Sequence, residues 1–226
     1  KKASGTLHAG GTNGWNFVAI DHIDIERPEG KAEASLHIDT DDQWLSFEAV
    51  STVDPLHVLR IIRISDEPVA LPMTFDNPSE VAMKGIYGFR MEQGLTDISG
   101  KVKSPAVVSS GFKFENAEAD IHMSDTLWTL TNITSDVLGG RVDGCAEFTP
   151  NPGNPADVYM RATGKFSGLR HTKWGPLIGH MQAGPASGGT MDLGFAIEGP
   201  IATNNVEFLT GLSGSLKCEI RKAQLY

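Results

Sequence analysis

The sequence of 226 residues has no apolar run near the roughly 20 residues that a helix needs to cross a bilayer. It is also poor in basic residues, with 19 Lys and Arg against 28 Asp and Glu and a net charge of -9. This balance argues against nucleic acid and against anionic membrane surfaces as partners. Aromatic residues are 8% and charged residues 21%, as in an ordinary globular protein. The length suits one all-β domain or two small ones.

Cysteine is scarce: the only two are Cys145 and Cys218, and they do not identify a redox compartment. Alternation of polar and apolar residues places Cys145 on the charged face of its strand and Cys218 on the apolar face of another. Because the two side chains are expected on faces of opposite character, two free thiols are favoured over a disulfide between them. The pair also lacks the close spacing of a structural zinc site.

Catalytic and nucleotide-binding motifs are absent, since the sequence contains no Gly-x-Ser-x-Gly, Walker A or Gly-x-Gly-x-x-Gly pattern. Asp39–Asp42 could bind calcium, but without the Gly and distal Glu of an EF-hand it reads as a polar hairpin turn. Glu118, Asp120, Asp125 and Asp143 could pair as acid and base in a glycosidase, but polar strand faces explain them more simply. We predict no enzyme, no cofactor and no metal site.

Alternation of apolar and polar residues is the strongest positive signal, and it is clearest near the C-terminus. In one stretch Met191, Leu193, Phe195 and Ile197 alternate with polar or small residues. A period of two is typical of a strand with one apolar and one charged face. Similar stretches recur along the chain, so we predict about ten to fourteen mostly antiparallel strands.

A short pattern opens four of these strands: a small residue, a glycine, any residue, an apolar residue and a charge. Its glycines are Gly100, Gly140, Gly189 and Gly214. The four copies form a weak internal repeat. At each glycine we expect either a positive φ or a close approach of a neighbouring backbone.

Irregular positions are also predicted. At Asn116 the apolar row shifts by one residue, which indicates a β-bulge. In an earlier strand, Phe17 and Ala19 are assigned to the same apolar row as Ile23. One short helix is expected after Asp54, beginning at Pro55 and ending before Asp66, and another over residues 169–180.

The fold predicted from these patterns is mainly β. We expect an elongated, twisted antiparallel sheet that curls into a groove or a sandwich-like repeat, with one or two short helices. The proline-rich turn at residues 150–155 divides the chain into a β-rich region, 1–150, and a C-terminal β unit, 151–226. These regions are expected to form one continuous domain. Because the first residues already have strand character, we expect the chain to be a piece of a longer protein.

From Phe112 onward the sequence resembles the C-terminal region of AsmA-like proteins, a group that includes TamB-type lipid-bridging proteins. The similar segments are Phe114–Ile121, Trp128–Ile133, Leu138–Gly144, Gly168–Leu169 with Trp174–Gly179, Gly189–Asp192 and Leu209–Leu216. They cover about half of the chain. The Gly-Gly-x-Val-x-Gly and Leu-Ser-Gly-Ser-Leu pieces are the most specific.

The resemblance implies a periplasmic protein of the Gram-negative envelope, anchored to the inner membrane by a segment outside this chain. It implies a non-catalytic role in outer-membrane biogenesis or phospholipid transport, with envelope assembly proteins as further partners. Acyl chains would lie in an apolar β-groove. The candidate groove residues are Met83, Tyr87, Phe112, Phe114, Ile121, Met123, Val142, Met191, Leu193 and Phe195.

A second interpretation stays open at this point. The same apolar rows can form a closed core in a β-rich binding or adhesion module whose ligand is held by loops. Trp15, Trp44 and Trp128 are the aromatic candidates for such a site. Under either interpretation, unpaired edge strands would favour self-stacking of copies.

Overall fold

The computed structural model describes residues 2–11, 16–28, 30–54, 73–76, 78–89, 96–109, 111–151, 154–170, 189–201 and 211–221. These residues form thirteen strands. In chain order they are β1 (Lys2–Gly10), β2 (Phe17–Arg27), β3 (Gly30–Asp39), β4 (Trp44–Ser51), β5 (Met73–Phe75), β6 (Glu80–Gly88), β7 (Asp97–Ser109), β8 (Phe112–Ser124), β9 (Trp128–Val137), β10 (Gly140–Asn151), β11 (Asn154–Arg170), β12 (Thr190–Pro200) and β13 (Ser213–Arg221).

All thirteen strands belong to one open antiparallel sheet. Its order follows the chain from β1 to β13, except that β4 is followed by β6 and the short β5 pairs with β7. Most neighbours are therefore joined as hairpins, which is the connection that antiparallel strands allow. The prediction of a mainly β, antiparallel fold is confirmed. Among the described strands, β1 and β13 are the two edges.

The chain forms two compact units. The first unit comprises Lys1–Pro68, Phe75–Pro105 and Ala119–Thr129, and the second comprises Val69–Thr74, Ala106–Glu118 and Leu130–Tyr226. The proline-rich turn at residues 150–155 lies within the second unit, where β10 and β11 pair from Arg141 opposite Ser167 to Asn151 opposite Asn154.

In the second unit the strand register separates an apolar face from a polar one. Residues directly opposite each other on paired strands share a face. Val142 lies opposite Phe166, Phe166 opposite Leu193, and Leu193 opposite Cys218, so one face is apolar across four strands. Cys145 pairs with Thr163 on the other face. Both cysteines are free, as predicted, and both are exposed, including Cys218 on the apolar face.

In the first unit the corresponding apolar row runs through Leu36, Phe47 and Gly85, which are paired in turn. The assignment of Phe17 and Ala19 to the row of Ile23 is wrong. The register of β2 shifts between Ile20 and Ile23, and His22 there has a φ of +52°. This bulge adds one residue, so Val18 and Ile20 share the apolar face with Ile23, and Phe17 points the other way.

Backbone geometry supports two expectations. Asn116 has a φ of +52° inside β8, where the apolar row was predicted to shift. Its side-chain amide donates a hydrogen bond to Asp136 at 2.8 Å. Three of the four repeated glycines, Gly100, Gly140 and Gly214, are sites of close backbone approach. A Cβ on Gly100 would lie 2.5 Å from the carbonyl oxygen of Ala82. Gly140 is similarly close to the carbonyl oxygen of Ser167.

The two expected helices fall largely outside the described residues, because residues 55–72 and 171–188 are not among them. The second helix was placed too early. Leu169 and Arg170 end β11, and Leu169 is buried opposite Met191 of β12. Gly168, with a φ of +67°, supplies the extra residue in β11 that brings Leu169 into this register.

Candidate apolar binding face

The second unit carries a continuous apolar surface on β10 to β13, which we call the C-terminal apolar face. Each strand contributes alternate residues, and the register places them side by side. The face comprises Val142, Phe148, Met160, Phe166, Leu169, Met191, Leu193, Phe195, Ile197, Leu216, Cys218 and Ile220.

The middle of this face is packed. Val142, Leu169 and Met191 are buried together with Val137, and half-buried phenylalanines pack against them. Phe166 and Phe195 are in contact, with ring centroids 5.4 Å apart and planes tilted by 38°. These residues form a hydrophobic core cluster, which stabilises the second unit by removing apolar surface from water.

The outer part of the face is open. On β13, Leu216 is 70% exposed and Ile220 is 54% exposed. They lie directly opposite Phe195 and Met191 of β12. The same apolar row therefore passes from a packed centre to a solvent-exposed edge within two adjacent strands.

The first unit has an analogous surface, the N-terminal apolar face. Val81, Met83 and Ile98 are buried at its centre, and Phe47, Val102 and Met123 pack against them. At its edge, Leu7 of β1 is 60% exposed and lies opposite Ile20 of β2. Each unit thus repeats the arrangement of a buried centre and an exposed edge strand.

The ten predicted groove residues fall into two groups. Phe114, Val142, Met191 and Phe195 belong to the second unit's core cluster or pack against it. Met83 and Met123 do so in the first unit. The remaining four are half-buried: Tyr87, Phe112, Ile121 and Leu193. Tyr87 also makes an edge-to-face contact with Phe89 at a centroid distance of 6.1 Å.

The exposed residues Leu7, Leu216 and Ile220 are absent from the predicted set. Alternation shows which residues share a face, but it does not show which strand ends the sheet. Leu216 and Ile220 belong to an alternating row in the sequence, so the signal for their face was present. Their exposure depends on the sheet order, which is a long-range property.

The reverse side of β12 and β13 carries a charged cluster around Asp192. The backbone N–H of Gly168 donates a hydrogen bond to Asp192 Oδ1 at 2.8 Å. Arg221 Nη2 lies 3.3 Å from Asp192 Oδ2, and Lys165 Nζ lies 4.0 Å from it. The hydrogen bond from Gly168, and then the charges of Arg221 and Lys165, lower the pKa of Asp192 below 3.8.

Glu219 completes this cluster. Arg221 donates to both of its carboxylate oxygens, at 3.0 and 3.2 Å. This hydrogen bonding and the guanidinium charge lower the pKa of Glu219, and they raise the pKa of Arg221 in turn. The charged face of β13 is therefore anchored to β12, while its apolar face is exposed.

The carboxylates considered as an acid and base have ordinary neighbours. Asp120 lies 3.6 Å from Lys101 Nζ, and Asp143 lies 3.1 Å from Arg141 Nε. Asp125 accepts a hydrogen bond from the backbone of Thr96 at 3.1 Å. Glu118 lies on β8.

The Asp39–Asp42 segment is the polar turn that was favoured over a calcium site. Asp39 Oδ1 accepts hydrogen bonds from the backbone N–H groups of Asp41 and Asp42, at 2.9 and 2.8 Å. An aspartate that bonds the backbone two and three residues ahead stabilises a tight turn. In the described ranges, no group of three or more His, Cys, Asp or Glu is arranged to hold a metal ion.

An aromatic stack lies on the polar side of the first unit. The rings of Phe17 and His37 are 5.6 Å apart and nearly parallel, and those of His37 and Trp44 are 5.3 Å apart. The stack borders a depression of about 360 Å³ lined in part by Asp21, Glu48 and Lys84. Trp44 and Trp128 are half-buried, and Trp15 lies outside the described residues.

No family model matches the chain, and neither a curated protein nor a solved structure matches it. Within the described part of the chain there is no helix with the length and apolar character needed to cross a membrane.

Proposed function

We propose that this chain is a non-catalytic, lipid-handling segment whose apolar β-face receives phospholipid acyl chains. We further propose that its function is similar to that of AsmA-like proteins. It would then act in the periplasm, tethered to the inner membrane by another segment of a longer protein. Its role would be to support outer-membrane biogenesis or phospholipid transport.

The observation that carries the proposal is the exposed end of the C-terminal apolar face. Leu216 and Ile220 extend a row of large apolar side chains from the packed cluster at Met191 and Phe195 into solvent. Exposed apolar surface that is contiguous with a core is a typical feature of binding sites. An acyl chain lying along this row would contact apolar side chains from neighbouring strands.

The energetics favour an acyl chain as the occupant. Each methylene group of the lipid that is transferred from water contributes about 0.8 kcal/mol to the free energy of binding. Even a few contacting methylenes therefore offset part of the entropy cost of ordering the acyl chain. The opposite face carries Lys217, Glu219 and Arg221, which are suited to water. Such a two-sided strand can hold an apolar ligand on one side while the protein stays in aqueous solution.

A binding titration with a phospholipid probe, whose fluorescence rises in apolar surroundings, tests the proposal. The purified chain is titrated beside Leu216→Asp and a matched control, Ser215→Asp. Ser215 is the neighbouring exposed residue on the polar face of β13. We expect Leu216→Asp to weaken probe binding by about tenfold, because a carboxylate would interrupt the apolar row, and Ser215→Asp to bind as the wild type does.

Equal binding by Leu216→Asp and the wild type would contradict a lipid site on this face. Thermal unfolding of both variants serves as the folding control. Because Leu216 is 70% exposed, an aspartate there reaches water and should leave the fold intact.

The closed-core interpretation has its own support, since Met83, Val142 and Met191 are all buried. Under it the chain is a β-rich binding or adhesion module, and the stack of Phe17, His37 and Trp44 beside the polar depression is the best-placed ligand site. An inert response to the phospholipid probe, combined with binding of a polar ligand that Trp44→Ala abolishes, would favour this second function.

A further inference from the structure

We propose that β13 is the interface of a symmetric dimer, in which β13 of a second copy pairs antiparallel to it with Cys218 opposite Cys218. The occupant of the sheet edge is thus a second copy of this chain. The dimer would form through the edge of β13, with contacts on both of its faces, and it does not require that the apolar face binds lipid.

The first argument is the exposure of this edge. Every residue of β13 is exposed, and β12 is its only neighbour among the described strands. An edge strand presents a row of backbone N–H and C=O groups that another strand can pair with. β13 contains no proline, and it exposes the large apolar residues Leu216 and Ile220. Its charged residues would oppose pairing with a strand of like charge, but they allow pairing with a strand whose charges are complementary.

The second argument is the order of charges along β13. In an antiparallel self-pairing centred on Cys218, Lys217 lies opposite Glu219 of the second copy, and symmetry repeats this pair. Leu216 then lies opposite Ile220 of the second copy, so apolar residues meet on the other face. Cross-strand pairs of opposite charge and of large apolar residues both stabilise a sheet.

Neighbouring registers are less favourable. Centring the pairing on Lys217 places two lysines opposite each other, and centring it on Glu219 places two glutamates together. A centre at Leu216 leaves the charged residues opposite serines. Registers offset by one residue would put the apolar faces of the two copies on opposite sides of the sheet. The register centred on Cys218 therefore pairs opposite charges and keeps the apolar faces together.

Self-pairing of β13 also gives an assembly that ends at two copies. A strand that pairs with its own copy uses the same surface on both partners, so it forms a two-fold dimer and stops there. Pairing β13 with β1 of another copy would instead allow open-ended growth. Because β1 has no acidic residue, that contact would leave Lys217 without an opposite charge across the strands, whereas self-pairing supplies one on both sides.

Charge reversal tests the proposal most sharply. Lys217→Glu places glutamates opposite glutamates in the homodimer, and Glu219→Lys places lysines opposite lysines. We expect each variant alone to self-associate about tenfold or more weakly than the wild type in sedimentation velocity. An equimolar mixture of the two should form a heterodimer, because each lysine of one chain then faces a glutamate of the other.

Thermal unfolding of both variants checks that they fold, since Glu219 also pairs with Arg221 within the chain. A wild-type chain that stays monomeric into the high-micromolar range would overturn the proposal. So would a dimer that is indifferent to both reversals, or a mixture that fails to associate. None of these variants changes the apolar row used in the lipid test, so the two proposals can fail separately.

Cross-linking gives an independent readout. Antiparallel partners have Cα atoms about 4.5 or 5.5 Å apart, so a short bismaleimide can join the two Cys218 thiols. We expect Cys145→Ser to cross-link into a dimer as efficiently as the wild type, and Cys218→Ser to lose the cross-link. Cross-linking through Cys145 alone would place the interface elsewhere and contradict the proposal.

Discussion

Met191 on β12 and Ile220 on β13 lie directly opposite each other, yet Met191 is 8% exposed and Ile220 is 54% exposed. The two side chains share a face, so the change from packed to open occurs between adjacent strands. Met191 packs with Val142 and Leu169, whereas Ile220 stands on the edge strand. The apolar face therefore has a structural part and an exposed part.

Aspartate substitutions at Met191 and Ile220 should distinguish the structural part of the apolar face from the exposed part by their effects on stability. We expect Met191→Asp to destabilise the protein by about 3 kcal/mol or more, because a carboxylate would be buried among apolar side chains. Ile220→Asp should change the free energy of unfolding by less than about 1 kcal/mol, since the new carboxylate reaches water. Urea denaturation measures both. Equal destabilisation would mean that β13 is packed as tightly as β12.

Glycine-to-alanine changes test the close approach of strands. In Gly140→Ala the new Cβ would clash with the backbone of Ser167 and Gly168 on β11, so we expect a loss of about 1–3 kcal/mol. The matched control is Gly194→Ala on β12, where the nearest atom, the carbonyl oxygen of Lys217, would be 3.9 Å away. The control should be neutral or slightly stabilising. If Gly140→Ala were equally harmless, the close approach at β10 would be wrong.

The bulge at Asn116 can be tested by comparing two substitutions. Both Asn116→Val and Asn116→Gly remove the hydrogen bond to Asp136, so the loss of that bond does not contribute to the difference between them. Glycine adopts the φ of +52° readily, whereas a β-branched residue does not. We expect the valine variant to be about 1–2 kcal/mol less stable than the glycine variant. Equal stabilities in chemical denaturation would argue for extended backbone at this position.

The irregular backbone at Asn116 is an example of a feature that can be predicted from the sequence. A phase shift in alternation is a local signal, and both the strand and its bulge were predicted from it. The comparable bulge at His22 was missed. Phe17 and Ala19 mimic a continuing apolar row, and this local pattern concealed the true row of Val18 and Ile20.

Other features depend on pairing between distant segments. The contact of β5 with β7, and the position of β13 at the edge, follow from which strands meet. Alternation identifies faces but carries no information on neighbours. For this reason the candidate groove set includes residues that the structure buries, such as Met83 and Val142, and omits the exposed Leu216.

Acid titration should reveal the role of Asp192. Its pKa is lowered in the folded protein by the Gly168 hydrogen bond and the nearby cations, so the unfolded chain binds the proton more readily. The stabilisation is therefore complete above the unfolded value near 3.8 and is lost as the pH falls through the lowered folded value. We expect Asp192→Asn to flatten the dependence of unfolding free energy on pH in this acid range. An unchanged pH profile would contradict the described cluster.

We propose that the C-terminal apolar face is open and receives acyl chains. Native mass spectrometry of the purified chain, with lipid extraction from the same preparation, is the decisive experiment. We expect bound phospholipid at near-stoichiometric ratio, lowered in Leu216→Asp and retained in Ser215→Asp. A clean mass without lipid, together with binding of an apolar dye no higher than for an ordinary globular protein, would contradict it.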